Sequence, residues 1–162
     1  PIETGMLTNL YLFLDFDGVL HPEGVGPELE FCHLQGFENL MRQYPQVRIV
    51  FSSSWRLHPP FEKLISFFSS DLQSRIVGVT PHLQELESKQ GHRQRECEQW
   101  LTSNAPGAAW LAVDDRASYF DAVCPQLVLL PHIHDGGTGL EGEALVLLRR
   151  RIDKEIGCLG RS

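Results

Sequence analysis

The stretch YLFLDFDGVLHP, residues 11–22, decides how the rest of the chain is interpreted. A mostly apolar run leads directly into two aspartates one position apart, Asp15 and Asp17, and then into Gly18. A short apolar run of this kind predicts a buried strand. Carboxylates seldom stand at the end of a buried strand unless a cation, a proton or a hydrogen-bond donor compensates their charge. The stretch therefore predicts a strand that leads into a chemically active site.

The bulk composition limits the range of functions. The chain has 162 residues, which suits one domain, and residues 1–5 are interpreted as a non-native remnant, with Met6 as the native start. A net charge of −7 argues against non-specific binding to nucleic acid or anionic membranes, because no overall positive field attracts phosphates. No apolar run reaches the roughly 18–20 residues that span a bilayer, and no signal-peptide pattern is present. We expect a cytoplasmic protein whose four cysteines are reduced, since none forms a C-x-x-C pair.

Five apolar segments are predicted as strands, and most are continuous, which is typical of strands covered on both faces. They are residues 10–16, 47–53, 75–80, 109–115 and 126–131. Helical patterns occupy residues 27–45, 59–72, 89–107 and 141–157. The buried face predicted for the first helix comprises Leu29, Leu34, Phe37, Leu40 and Met41. This alternation predicts an α/β fold with three layers, a Rossmann-like, doubly wound and mainly parallel sheet.

Polar residues collect where these strands end, which is where ligands bind in such folds. The set is Asp15, Asp17, Ser52, Ser53, Ser54, Thr80, Asp114 and Asp115. Carboxylates that lie close together repel one another and need protons or a cation. Because no His or Cys cluster stands beside the first two aspartates, a hard oxygen-binding ion such as Mg²⁺ is the predicted cofactor. Its predicted ligands are Asp15, Asp17 and Asp115, with Asp114 as a less favoured addition.

A bound Mg²⁺ would allow a phosphoryl group to approach the carboxylates, so that one could attack phosphorus and another could move a proton. The predicted phosphate-binding groups are the Ser52 hydroxyl, the adjacent Ser53 and the backbone amides of the turn that Gly18 keeps tight. A basic side chain should also balance the transferring group. The candidates for it are Arg93, Lys89 and Arg56.

Four segments in this order resemble the haloacid dehalogenase (HAD) superfamily of phosphatases. They are FLDFDGVLHP, VRIVFSSSWR, GHRQRECEQWL and WLAVDD. The segments VGVTPHL and DGGTGL are similar to one subgroup, the HAD domain of Swiss Army Knife RNA repair proteins, so the resemblance covers roughly residues 10–142. It implies an Mg²⁺-dependent phosphohydrolase that acts on a phosphomonoester through an aspartyl phosphate.

The resemblance also implies individual roles. Asp15 corresponds to the nucleophile, and Asp17 to the general acid and base, whose backbone carbonyl also touches the metal. Ser52 corresponds to the phosphate-binding hydroxyl. Asp115 completes the metal site, with Asp114 beside it. Arg93 fits the basic residue of an R-x-x-E pattern that ends at Glu96, while Lys89 stays open because many relatives use lysine.

The spacing between these motifs predicts that the domain lacks a cap. Residues 17–52 leave room for little beyond one helix, and residues 52–93 are filled by a helix, a strand and their connections. An open site suits a polymer end, a protein or a bulky substrate, whereas a small substrate would need a partner or a loop to exclude water.

Other interpretations stay open from the sequence. The carboxylates and serines could cap turns, Arg93 and Lys89 could be solvated helix charges, and Trp55 is expected in the core. The loop with His132, His134 and Asp135 suggests a metal site, but such loops are usually only loops, and a place on the rim of the site is preferred.

Among functional alternatives, a phosphatase acting on nucleic-acid ends fits the resemblance, but the acidic charge does not favour it. A phospho-accepting receiver-like module needs its aspartate after a later strand, where this chain has serines. A silent binding module is disfavoured because both aspartates of the first motif are present. Substrate and oligomeric state are not predicted.

Overall fold

Five parallel strands form one sheet in the computed structural model, which describes residues 9–57 and 59–159. The strands are β1 (Leu10–Leu14), β2 (Val47–Phe51), β3 (Ile76–Val79), β4 (Ala109–Asp114) and β5 (Leu127–Leu129). Their spatial order is β3-β2-β1-β4-β5, so β1 lies in the centre. Each lies within a segment predicted as a strand. The interpretation of residues 1–5 and Met6 concerns residues outside the described part.

Helices cover both faces of the sheet. They are α1 (Leu34–Arg42), α2 (Phe61–Ser66), α3 (Ser70–Gln73), α4 (His92–Asn104) and α5 (Glu143–Leu159). The strand β1 shows the layering, because Leu12 and Leu14 pack into the apolar cluster that includes residues of α1 and α5, whereas Phe13 packs with Trp100 of α4. Successive side chains of a strand point to opposite faces, so these two clusters are the two sides of a three-layer α/β fold. The predicted fold class is confirmed.

The first predicted helix is wrong over its N-terminal third. Pro27–Leu29 form a single 3₁₀ turn, and α1 begins only at Leu34. Phe31 has a φ of 61°, a left-handed conformation that a regular helix cannot contain. Leu29 is 48% exposed rather than on the buried face.

The predicted helix over residues 59–72 is two short helices, α2 and α3. The break is stabilised by Glu38, which accepts hydrogen bonds from the Ser69 backbone amide at 2.6 Å and from the Ser69 hydroxyl at 2.9 Å. The last helix continues two residues beyond the predicted end at Gly157.

The connections around the carboxyl edge of the sheet are short. Between β1 and β2 the chain forms α1 and one 3₁₀ turn, and between β2 and α4 it adds only short helices and β3. The described residues form no large cap, in agreement with the prediction. Within the described residues, no helix is long and apolar enough to cross a membrane, and the four cysteines are free thiols.

Candidate active site

A cluster of buried carboxylates lies where β1 and β4 end side by side. Leu14 is in register with Val113, and the Asp15 amide donates to the Val113 carbonyl at 3.3 Å. The parallel register therefore brings Asp15, Asp114 and Asp115 together, with ligand oxygens that all lie within 4.8 Å of one another. All three are at least 95% buried. The sequence predicted this gathering from strand ends alone.

Arg93 of α4 provides the positive charge of this cluster. Its Nη1 donates to Asp114 Oδ2 at 2.8 Å and lies 3.3 Å from Asp15 Oδ1. Its guanidinium also lies over the Tyr119 ring, 4.6 Å from the centroid. The carboxylates raise the pKa of Arg93 despite its burial, so it stays charged. One guanidinium against three carboxylates leaves the cluster with excess negative charge.

The excess charge is visible in the pKa values of the carboxyl groups. Burial and the adjacent Asp114 raise the pKa of Asp15 well above its ordinary value. Burial, Asp114 and Glu23 raise the pKa of Asp115 to about 6. Asp115 Oδ2 is also buried without a hydrogen-bond partner. Closely spaced oxygens with uncompensated charge fit a hard divalent cation such as Mg²⁺, which would be held by Asp15 and Asp115. Asp114 is less free, since its oxygens accept hydrogen bonds from Arg93 and from the Arg116 amide at 2.9 Å.

Gly18 is required by the close approach of Asp115. It has a φ of +78°, and a Cβ added there would lie 2.1 Å from Asp115 Oδ2. The backbone amides of this turn are engaged: Gly18 donates to the His21 carbonyl at 2.9 Å, and Val19 and Leu20 both donate to the Phe16 carbonyl. The Gly18, Val19 and Leu20 amides are therefore not free donors, and the phosphate-binding role of the turn after Asp15 stays a prediction. Gly18 makes room for a carboxylate.

Asp17 lies at the rim, with its side chain 43% exposed. His21 Nε2 lies 2.7 Å from Asp17 Oδ1, and the Trp55 indole N–H donates to Asp17 Oδ2 at 3.1 Å. The bond from His21 is the largest of the effects that lower the pKa of Asp17, so this group is a carboxylate. With both oxygens engaged, the side chain does not join the metal cluster. Only its backbone carbonyl would serve the metal contact that the resemblance implies.

His21 is a functional candidate that sequence reasoning missed. It is 2% exposed, and its Nδ1 accepts a hydrogen bond from the Phe31 amide at 3.1 Å. A backbone amide can only donate, so Nδ1 carries no proton and the neutral ring must donate from Nε2 to Asp17. The left-handed conformation of Phe31 belongs to the segment that presents this amide. The signal in the sequence was a histidine four residues after Asp17.

The serines follow β2 at the same edge of the sheet. The Ser52 amide donates to the Leu14 carbonyl at 3.0 Å, which places Ser52 level with Asp15 across the β1–β2 pair. Ser52 and Ser53 are each 1% exposed. Ser53 Oγ accepts from the Trp55 amide at 3.2 Å, so its hydroxyl stabilises the turn that carries the indole.

Arg56, one of the candidates for phosphate binding, donates to three protein groups. Its Nε donates to the Thr80 carbonyl at 3.2 Å, its Nη1 to the Ser53 carbonyl at 2.8 Å and its Nη2 to Glu96 at 2.9 Å. Glu96 also accepts from the Leu83 amide at 3.0 Å, which joins this network to the loop after β3. Both charged side chains are almost fully buried, so Arg56 fixes the floor of the site.

Arg93 and Lys89, the two candidates for the basic residue that the resemblance implies, differ in burial. Arg93 is buried in the cluster, whereas Lys89 is exposed and forms no ion pair with the described carboxylates of the cluster.

The two histidines of the loop after β5 differ in their surroundings. His132 turns inward to Glu23 and Asp115, while His134 and Asp135 are exposed. Sequence patterns gave no sign that Glu23 or Tyr119 would take part.

Most of the chain matches a known protein family. Residues 11–141, most of the chain, match the family described as the HAD domain in Swiss Army Knife RNA repair proteins. Searches of curated proteins and of solved structures found no match. The matched range contains every carboxylate of the cluster, Arg93 and the polar ends of β2 and β3. The chain belongs to the HAD superfamily, as a domain of the type that this family describes.

Proposed function

We propose that this protein is an Mg²⁺-dependent phosphohydrolase that cleaves phosphomonoesters through an aspartyl phosphate on Asp15. The observation that carries the proposal is the buried cluster of Asp15, Asp114 and Asp115, paired with Arg93, in a domain of the HAD superfamily. That superfamily is one of hydrolases and phosphatases. Mg²⁺ held by Asp15 and Asp115 would supply the positive charge that lets a phosphoryl dianion approach these carboxylates.

In the first step, an Asp15 oxygen attacks phosphorus and the bond between phosphorus and the ester oxygen breaks. Arg93 lies 3.3 Å from Asp15 Oδ1 and is positioned to stabilise charge on the transferring group. Its Nε is buried without a hydrogen-bond partner, which leaves a donor for a phosphoryl oxygen. The leaving oxygen takes a proton from Asp17, which must enter this step in its protonated form.

In the second step, Asp17 accepts a proton from water as the water oxygen attacks the phosphorus of the aspartyl phosphate. The bond from phosphorus to Asp15 breaks. Inorganic phosphate is released, and the Asp15 carboxylate is regenerated. His21 and Trp55 hold Asp17 as the anion, which is the form that this step needs. The ionised form of Asp17 therefore favours hydrolysis of the aspartyl phosphate over its formation.

The substrate class follows less directly from the residues. Beside Arg93, a cleft of about 230 Å³ is lined by Arg56, His82, His92 and Tyr119, among others. It could receive the leaving group next to the cluster, and no cap covers it. The description of the family makes a phosphorylated RNA end one candidate, while the net charge of −7 weakens attraction to a longer strand. A phosphorylated small molecule is the other candidate.

The test is hydrolysis of p-nitrophenyl phosphate with Mg²⁺, with EDTA, and by Asp15→Asn. We expect turnover that requires both the ion and Asp15. Asp71→Asn is the matched control, because Asp71 also pairs with an arginine but lies exposed on α3. Mg²⁺-dependent turnover by Asp15→Asn would contradict the proposed nucleophile. A phosphoryl group that stays on the wild type without turnover would favour the receiver-like alternative. Sugar phosphates, nucleotides and phosphorylated RNA ends would then define the substrate.

A further inference from the structure

Three buried atoms without hydrogen-bond partners meet beside the carboxylate cluster. Among the described residues, five buried side-chain nitrogen or oxygen atoms have no such partner, and three of them are Glu23 Oε2, Asp115 Oδ2 and His132 Nε2. Glu23 Oε2 and His132 Nε2 lie 3.2 Å apart and contact each other, whereas Asp115 Oδ2 beside them has no such contact. Burying a polar atom without a partner costs free energy, so this oxygen indicates a ligand. Asp115 is only 4% exposed, so water does not compensate its free oxygen.

The spacing of these side chains fits one small ion. Ligand atoms of Glu23, Asp115 and His132 all lie within 4.8 Å of one another, and His132 Nε2 lies 3.2 Å from Glu23 Oε2. Two ligand atoms at about 2.0–2.1 Å from a tetrahedral ion are separated by about 3.3 Å. The observed separation of nitrogen and oxygen is therefore close to that of two ligands on one ion.

The ligand types differ from those of the first cluster. Asp15 and Asp114 complete a group that contains only oxygen, which suits Mg²⁺. Glu23 and His132 complete a group with an imidazole nitrogen, and imidazole favours divalent transition ions over Mg²⁺. Asp115 belongs to both groups.

We propose that Glu23, Asp115 and His132 form a second metal site, for a divalent transition ion of the Zn²⁺ or Mn²⁺ type. The site is distinct from the Mg²⁺ site implied by the family, and it does not depend on the proposed phosphatase reaction. A cleft of about 450 Å³, lined by Asp115, His132 and His134 among others, gives the ion a path from solvent.

Neighbouring residues contact each of the three ligands. Arg116 Nη2 donates to Glu23 Oε1 at 2.5 Å, which leaves Oε2 for the ion. Gly18 lies against the Asp115 carboxylate. The His134 amide donates to His132 Nδ1 at 3.3 Å. A neutral imidazole that binds metal through Nε2 carries its proton on Nδ1, so this long contact opens when the ion binds.

The experiment is titration of the whole protein with Zn²⁺ by calorimetry, and with Co²⁺ by visible absorption, in millimolar Mg²⁺ that occupies the first site. We expect one equivalent of either ion to bind to the wild type. His132→Ala and Glu23→Gln should each weaken its affinity about tenfold or more, because each removes a direct ligand. Asp15→Asn should still bind one equivalent of the ion, because Asp15 is not one of the three proposed ligands.

His134→Ala is the matched control, since its ring lies 4.8 Å from that of His132 but belongs to neither group of ligands. It should keep the wild-type affinity. Equal losses in His134→Ala and His132→Ala would overturn the proposal, because they would indicate a surface histidine pair. Unchanged affinity in both His132→Ala and Glu23→Gln would also overturn it, as would anomalous diffraction that places zinc between Asp15 and Asp114. Equal melting temperatures of the variants without metal would show that a loss is not one of folding.

Discussion

Gly18→Ala tests whether the turn after β1 is shaped by Asp115. Two separate costs are expected. The φ of +78° is left-handed, which costs an alanine roughly 1–2 kcal/mol. The new Cβ would also lie 2.1 Å from Asp115 Oδ2 and 2.5 Å from its Cγ, so the carboxylate must move. Such overpacking costs typically about 1–3 kcal/mol.

Comparison with Gly107→Ala separates the cost of overpacking from the cost of the left-handed backbone. Gly107 has the same φ of +78°, but an added Cβ there meets nothing within 4 Å. The backbone cost is therefore shared, and the free energies of unfolding of the two variants should differ by about 1–3 kcal/mol, with Gly18→Ala the less stable. Urea denaturation of both variants measures this difference.

Activity gives a second measurement of the same contact. Moving Asp115 by about 1 Å should lower Mg²⁺-dependent turnover by about a hundredfold in Gly18→Ala, and it should leave Gly107→Ala near wild type. Equal losses of stability in the two variants, with equal Mg²⁺ dependence, would refute the argument. The glycine would then serve only the backbone conformation.

Three further predictions follow from contacts of the site. His21→Phe removes the main cause of the lowered pKa of Asp17, so the acidic limb of the pH–rate profile should move to higher pH; an unmoved limb would contradict this. In EDTA, Asp115→Asn should gain melting temperature over the wild type as pH rises from the ordinary pKa of 3.8 through the raised pKa of about 6. The folded state holds the Asp115 proton more tightly than the unfolded chain, so its stabilisation is lost above that pH, and a difference that does not change with pH would argue against it. Arg56→Met removes the arginine partner of the buried Glu96 carboxylate and should lower the free energy of unfolding in urea by about 3–5 kcal/mol, whereas Arg42→Met, from an exposed pair, should change it little. Similar losses in both would refute the role given to burial.

The sequence was informative about the sheet because two simple rules apply there. Continuous apolar runs mark strands with both faces covered, and parallel strands place their carboxyl ends at one edge. Those rules are enough to place Asp15, Asp115 and Ser52 at that edge from the sequence alone. Neither rule depends on the conformations of the side chains.

The side-chain contacts of the site could not be predicted in this way. Arg56 is engaged by Thr80 and Glu96, which lie 24 and 40 positions away along the chain. His21 reaches its orientation through an amide ten positions away, in a left-handed turn that the helical pattern of residues 27–45 concealed. Such contacts depend on the conformation of the loops, which the hydrophobic periodicity of the sequence does not predict.

The hydrogen bond from Trp55 to Asp17 also gives the protein a built-in optical reporter. The chain has three tryptophans. Trp100 and Trp110 pack edge-on against Phe13, on the far side of the sheet from Trp55. Only the indole of Trp55 donates to a carboxylate of the site. Its fluorescence emission should therefore change when Asp17 gains or loses a proton, while the other two tryptophans supply a constant background. The state of this carboxylate could be followed during a single turnover without any added dye.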